Sequence, residues 1–128
     1  MTVFDAIDPR SPVPIYAQIA TQVRLAVAAG EMRGGDPLPS VRALAADLRV
    51  NPATVVQAYR ELAAEGVVEM KQGAGSFIAA LEVGQRQRVK RSEARRLARQ
   101  FIETASRAGI NAAELRAAID EETGGRKS

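Results

Sequence analysis

Residues 38–79 read LPSVRALAADLRVNPATVVQAYRELAAEGVVEMKQGAGSFIA. Ser40 follows Pro39 and can accept from free backbone N–H groups; Val41, Leu44, Ala45 and Leu48 then recur at helical spacing, so a helix starts there. Leu48-Arg49-Val50-Asn51 makes a tight turn. Asn51-Pro52 opens a second helix, because Asn is a favoured cap and Pro at the first helical position forfeits no hydrogen bond. Val55, Ala58, Tyr59 and Leu62 give that helix one buried face, and Gly66 ends it. Val67–Lys71 and Ser76–Ala79 read as short strands, with Gly73-Ala74-Gly75 at the hairpin turn. Helix, turn, helix and hairpin in that order predict a winged helix-turn-helix, a fold suited to double-stranded DNA.

The second helix leaves Ala53, Thr54, Val56, Gln57 and Arg60 on or near its free face. Residues at the start of a recognition helix reach base edges in the major groove. Gln57 suits adenine, Arg60 suits guanine or a phosphate, and Val56 or Ala53 can touch a thymine methyl. Thr54 and the free N–H groups at the helix start suit a phosphate oxygen. On an isolated amphipathic helix, Gln57 and Arg60 would read as solvated residues; the flanking helix and wing favour the DNA reading. Lys71 and Gln72, beside the wing tip, fit either groove contacts or a plain polar hairpin end.

PIYAQIATQVRLAVAAG, the quoted run and the GAGSF wing together resemble the GntR family of bacterial transcription regulators. The NPxTVxxAYxxLxxEG form and the short tail are similar to its YtrA-type subfamily. The resemblance covers roughly residues 12–80; in the tail it extends only to length and helical character. It implies an α+β fold: an N-terminal winged helix-turn-helix of three helices and a two-stranded wing, then two C-terminal helices. It also implies that Arg42 contacts DNA, that Thr54 holds a phosphate and that Gly73 approaches the minor groove. Ser40 and Asn51 join this DNA-binding set as the residues that open the two motif helices. Ala53 stands where the subfamily often has Asn, and Val56 where larger relatives carry a base-reading Arg. Readout therefore shifts toward Gln57, Arg60 and the wing.

Before the motif, Ile15, Ile19, Val23 and Val27 stripe a helix from about Ile15 to Ala29, and Gly34-Gly35-Asp36-Pro37 breaks the chain after it. After the wing, a helix from about Gln85 to Ala108 carries Leu97, Ala98, Phe101, Ile102 and Ala105 on one stripe. Gly109 ends it, Asn111 caps a last helix bearing Leu115, Ala118 and Ile119, and Gly124-Gly125 closes that before a disordered end. Two short helices cannot bury such stripes alone. The reading is a domain at 1–80 and a dimerisation segment at 81–128, with Leu97, Phe101, Ile102, Ala105, Leu115 and Ile119 at the seam. The tail folding back onto its own winged domain is the alternative.

Charge is unevenly placed. Residues 1–80 carry a net −1 and residues 81–128 a net +4, with Arg86, Arg88, Lys90, Arg91, Arg95, Arg96 and Arg99 opposed in their run only by Glu93. That basic run either adds phosphate contacts or is a solvated helix face.

Other classes are poorly supported. Without His or Cys the chain has no imidazole or thiolate for a triad or a metal site, and no disulfide. Glu61 with Glu65, and Asp120 with Glu121 and Glu122, read as solvated or cap-region charges. No catalytic residue, metal or cofactor is expected. The absence of a long apolar run and of a basic leader suggests a cytoplasmic protein away from membranes. About 48 residues after the wing leave little room for an effector domain, and a small-molecule effector stays open. The expected function is a homodimeric repressor of a palindromic operator, with a transporter operon and its own gene as the targets the resemblance suggests. The rival is a winged-helix protein–protein interaction module that never meets DNA.

Overall fold

The structure, a computed structural model, describes residues 3–80 and 83–124; of 83 and 84 it describes only the helical backbone. The chain divides into two compact units, residues 1–91 and 92–128. The fold is α+β, with the expected three helices and two-stranded wing followed by two helices.

In the first unit, α1 (Ile15–Ala28) buries Ile19, Val23 and Val27 and half-buries Ile15, the expected stripe. It stops one residue short of Ala29, where the Gly30 N–H turns back to the Val27 carbonyl (3.1 Å). Its start has no side-chain cap. Instead, Gln18 ties down the lead-in, accepting from the Asp8 N–H (2.7 Å) and donating to the Asp8 and Val13 carbonyls (2.8 and 2.9 Å). α2 (Val41–Leu48) opens on Ser40, whose Oγ accepts from the Ala43 N–H (3.1 Å). α3 (Pro52–Ala64) opens on Asn51, whose Oδ1 accepts from the Ala53 N–H (2.9 Å), and closes at Gly66 with φ +79°.

Val55, Ala58, Tyr59 and Leu62 are wholly buried in a core shared with α1 and with Leu44 and Ala45 of α2. Each large apolar side chain there contributes roughly 1.5–3 kcal/mol by leaving water. Phe4 joins this core from a 3-10 turn at Val3–Ala6, an element the sequence did not announce.

The wing pairs β1 (Val68–Lys71) with β2 (Gly75–Ile78), antiparallel, from Val68 opposite Ile78 to Lys71 opposite Gly75. Both strands start one residue away from expectation. The Val67 N–H still serves the last helical turn through the Leu62 carbonyl (3.0 Å), and Gly75 is drawn into the ladder. The Gly34–Pro37 break does more than punctuate. Gly35 and Leu38 donate to Ile78 and Ser76 of β2 (2.8 and 2.9 Å), Ile78 donates to Asp36 (2.8 Å), and Pro37 bridges Phe77. Pro37 lies between these bonds, where its backbone nitrogen faces away from β2, so its missing N–H costs the bridge nothing. A Cβ at Gly34 would lie 2.9 Å from the Ala80 Cα, so this close approach requires glycine.

α4 (Val83–Arg107) begins two residues before Gln85 and ends one before Ala108, where Gly109 takes φ +77°. Its first turns belong to the first unit, and Val89 packs against that core.

In the second unit, Asn111 starts α5 (Ala112–Glu122) with a reciprocal capping box: Oδ1 accepts from the Glu114 N–H (2.8 Å) and Glu114 Oε1 from the Asn111 N–H (3.0 Å). Gly124 follows at φ +63°. Gly125 and the end expected to be disordered lie outside the described residues. Among the described residues, no helix is long and apolar enough to cross a membrane.

Candidate nucleic-acid interface

One face of α3 is bare. Ala53, Gln57, Arg60 and Ala64 are exposed and, at 100° per residue, fall within an arc of about 60° opposite Val55, Ala58 and Leu62. Thr54 and Val56 flank that face and are half-buried. The face therefore offers one amide, one guanidinium and methyl groups, a set able to meet base edges and phosphates together.

The cap residues keep donors to spare. Ser40 and Asn51 are exposed and each commits an oxygen to its helix, which leaves the Ser40 hydroxyl hydrogen and the Asn51 amide hydrogens for another acceptor. Arg42 is exposed in the first turn of α2. At the wing tip Lys71, Gln72 and Gly73 are exposed, with Gly73 at φ +79°, a conformation that favours glycine. Lys71 Nζ lies 5.2 Å from the centre of the Phe77 ring, a cation–π contact that restrains the lysine without burying it. Between the wing and the start of α2 runs a groove of about 300 Å³ lined by Leu38, Ser40, Val41, Ala74 and Phe77 among others.

One exposed cation escaped the sequence reading. Arg49 sits in the turn between α2 and α3 at φ +56°, the one described non-glycine residue with positive φ. Left-handed backbone costs a residue with a Cβ about 1–2 kcal/mol. The fold holds it because the Val50 N–H bonds the Ala45 carbonyl (3.0 Å) and Val50 packs against the core. A turn with no glycine at its reversal is the signal that could have marked Arg49.

Two long-range contacts orient α3. The Tyr59 hydroxyl donates to the Pro39 carbonyl (2.8 Å), linking the middle of α3 to the residue before the α2 cap. Arg24 of α1, 4% exposed, donates Nε to Glu65 Oε1 (2.7 Å) and Nη2 to the other oxygen, with Glu61 Oε2 3.8 Å away. Glu61 and Glu65, expected as solvated or cap-region charges, are exposed at the C-terminal end of α3, where the helix dipole disfavours acids, and Arg24 compensates them.

In the tail, Ala105 is buried and Leu97 and Leu115 are half-buried, while Phe101, Ile102 and Ile119 are 58%, 43% and 50% exposed. Glu93 is buried with Arg96 Nε 3.6 Å from its Oε1.

A helix pair joined by a three-residue turn, its second member bare and cationic along one side and flanked by a glycine-tipped hairpin, makes this a winged helix-turn-helix protein. Residues 15–78 match the model of the bacterial regulatory proteins of the gntR family, and the chain belongs to that family. The HTH-type transcriptional repressor YtrA of Bacillus subtilis is 50% identical over 72 residues, 56% of this chain and 55% of that protein. The chain thus spans about half the length of the first curated relatives it matches. Over nearly its whole length it is similar to a GntR family transcriptional regulator from Listeria monocytogenes (TM-score 0.68, 31% identity, 89% of this chain and 97% of that one). It is likewise similar to YtrA from Sulfolobus acidocaldarius, a GntR-family transcription factor (TM-score 0.54, 34% identity, 95% and 98%). These relatives are transcription regulators, not enzymes.

Proposed function

We propose that the chain is a sequence-specific double-stranded DNA-binding regulator, a cytoplasmic homodimer that represses transcription from a palindromic operator. The observation that carries this is the bare α3 face, Ala53, Gln57, Arg60 and Ala64, with exposed cations close by in sequence at Arg42, Arg49 and Lys71. Those cations explain how a half-chain of net charge −1 meets a polyanion: Arg24, a further cation of that half, is spent inside the fold, while these reach solvent. In this reading Thr54, Ser40, Arg42 and Arg49 hold phosphates, Gln57 and Arg60 read bases with Val56 at their side, and Lys71, Gln72 and Gly73 enter the adjacent groove. The exposed Phe101, Ile102 and Ile119 supply the subunit contact and set two recognition helices on two half-sites about one helical turn apart. The resemblance to YtrA repressors extends the reading to an operon for a membrane transporter that includes the chain's own gene.

Titrating salt against binding to random duplex tests the first step, because phosphate-driven affinity falls steeply as salt rises. A protein with no affinity for any duplex at low salt belongs to the protein–protein class instead. Once genomic selection has supplied an operator, Arg42→Ala should weaken binding to all sequences and lower the salt slope by about 1. Gln57→Ala and Arg60→Ala should each lose about 1–3 kcal/mol of preference at particular base pairs. Equal effects of all three on every sequence would reject these roles.

A further inference from the structure

We propose that α4 carries a second DNA-backbone surface, the arginine stripe Arg88, Arg91, Arg95 and Arg99, which grips phosphates flanking the operator. The proposal rests on the DNA-binding reading above.

At 100° per residue these four side chains lie within an arc of about 80°, along about 16 Å of helix. All four are exposed, and among the described residues none has an acidic partner within ion-pair distance. The acids of α4 do not neutralise the stripe. Glu93 points about 140° away from Arg88 around the helix and engages Arg96. Glu103, near the arc, comes only after its last arginine, and its carbonyl accepts from Arg107. Four unpaired guanidiniums on one helix repel one another in the free protein and are relieved by a polyanion, so the stripe is built for an anionic surface.

Two observations make that surface DNA rather than a lipid headgroup layer. Ile78, the last residue of β2, precedes Arg88 by ten residues, a tether of at most about 35 Å. A wing seated on a duplex therefore holds the stripe at high effective concentration beside the same duplex. Finally, the charge balance calls for it, since residues 1–80 are net −1 and the cationic excess lies in this run.

The test compares the full chain with Arg88→Gln/Arg91→Gln/Arg95→Gln/Arg99→Gln, using random-sequence duplex and titrating salt. Each lost phosphate contact removes about 0.9 from the slope of log affinity against log salt, so the quadruple variant should lose about 3–4 from the slope. The matching Lys variant should keep it, because lysine also meets phosphate as a point charge. Single Arg88→Gln and Arg99→Gln changes, each removing about 1, keep the result readable if the quadruple variant alters subunit association. A wild-type slope in the Gln variants overturns the stripe while leaving the winged-helix reading intact. A wild-type chain that binds no duplex overturns both.

Discussion

Replacing Phe101 and Ile102 together by Glu is expected to leave a folded monomer whose operator affinity has dropped about 100- to 10,000-fold. Both side chains are large, apolar and exposed, at 58% and 43%, and neither belongs to the buried core, so the change should not unfold α4. In a dimer each would contribute roughly 1.5–3 kcal/mol by leaving water, and a carboxylate at the same place opposes association. The loss at the operator is larger than any single contact because the second half-site is bound intramolecularly once the first is occupied, and linkage of this kind is worth about 10²–10⁴. Sedimentation velocity and operator titration on the same samples check both halves. A variant that stays dimeric removes Phe101 and Ile102 from the interface. A monomer with wild-type operator affinity removes the need for a dimer. Ile119→Glu on α5 should act in the same direction, since that residue is 50% exposed and α5 buries none of its own side chains.

The winged fold was legible in the sequence because its boundaries are set locally. Ser40 and Asn51 cap the two motif helices with their own side chains, and Gly66 ends α3 by its own backbone; none of these needs a distant partner. The bare face of α3 was legible for the same reason, as periodicity alone puts Gln57 and Arg60 opposite Val55 and Leu62. What escaped depends on residues far apart in the chain. Arg24 and Glu65 are 41 positions apart, and each looks like a surface charge until α1 and α3 are packed together. Pro37 read as a turn because its pairing with Phe77 exists only after the wing has formed. Phe4 gave no periodic signal from a four-residue turn. Arg49 was hidden because a left-handed backbone is usually announced by glycine, whereas here Val50 and the Ala45 carbonyl hold it in place.

Tyr59 offers the second large effect, one that can be divided between ring and hydroxyl. Its ring is wholly buried in the core, and its hydroxyl donates 2.8 Å to the Pro39 carbonyl. Tyr59→Ala is expected to cost about 3–5 kcal/mol of stability through lost packing and the cavity left behind. Tyr59→Phe keeps the ring but leaves that carbonyl without this donor, at a cost of about 1–3 kcal/mol. The alkaline range separates the hydroxyl from the ring. Burial pushes the Tyr59 phenol above its ordinary 10.0, so the folded state holds the proton more tightly than the unfolded chain. Its stabilising effect is therefore complete below about pH 10 and is lost progressively above it, as the unfolded phenol ionises while the folded one keeps its proton. Urea melts from neutral pH to about pH 11 should show the wild type losing its advantage over Tyr59→Phe as the pH climbs. A gap that stays constant through that range would mean that the phenol is as well solvated folded as unfolded. Because the same hydroxyl ties α3 to the residue before the α2 cap, Tyr59→Phe should also weaken operator binding more than binding to random duplex. Base reading needs α3 held at a fixed angle, whereas phosphate attraction tolerates a looser one.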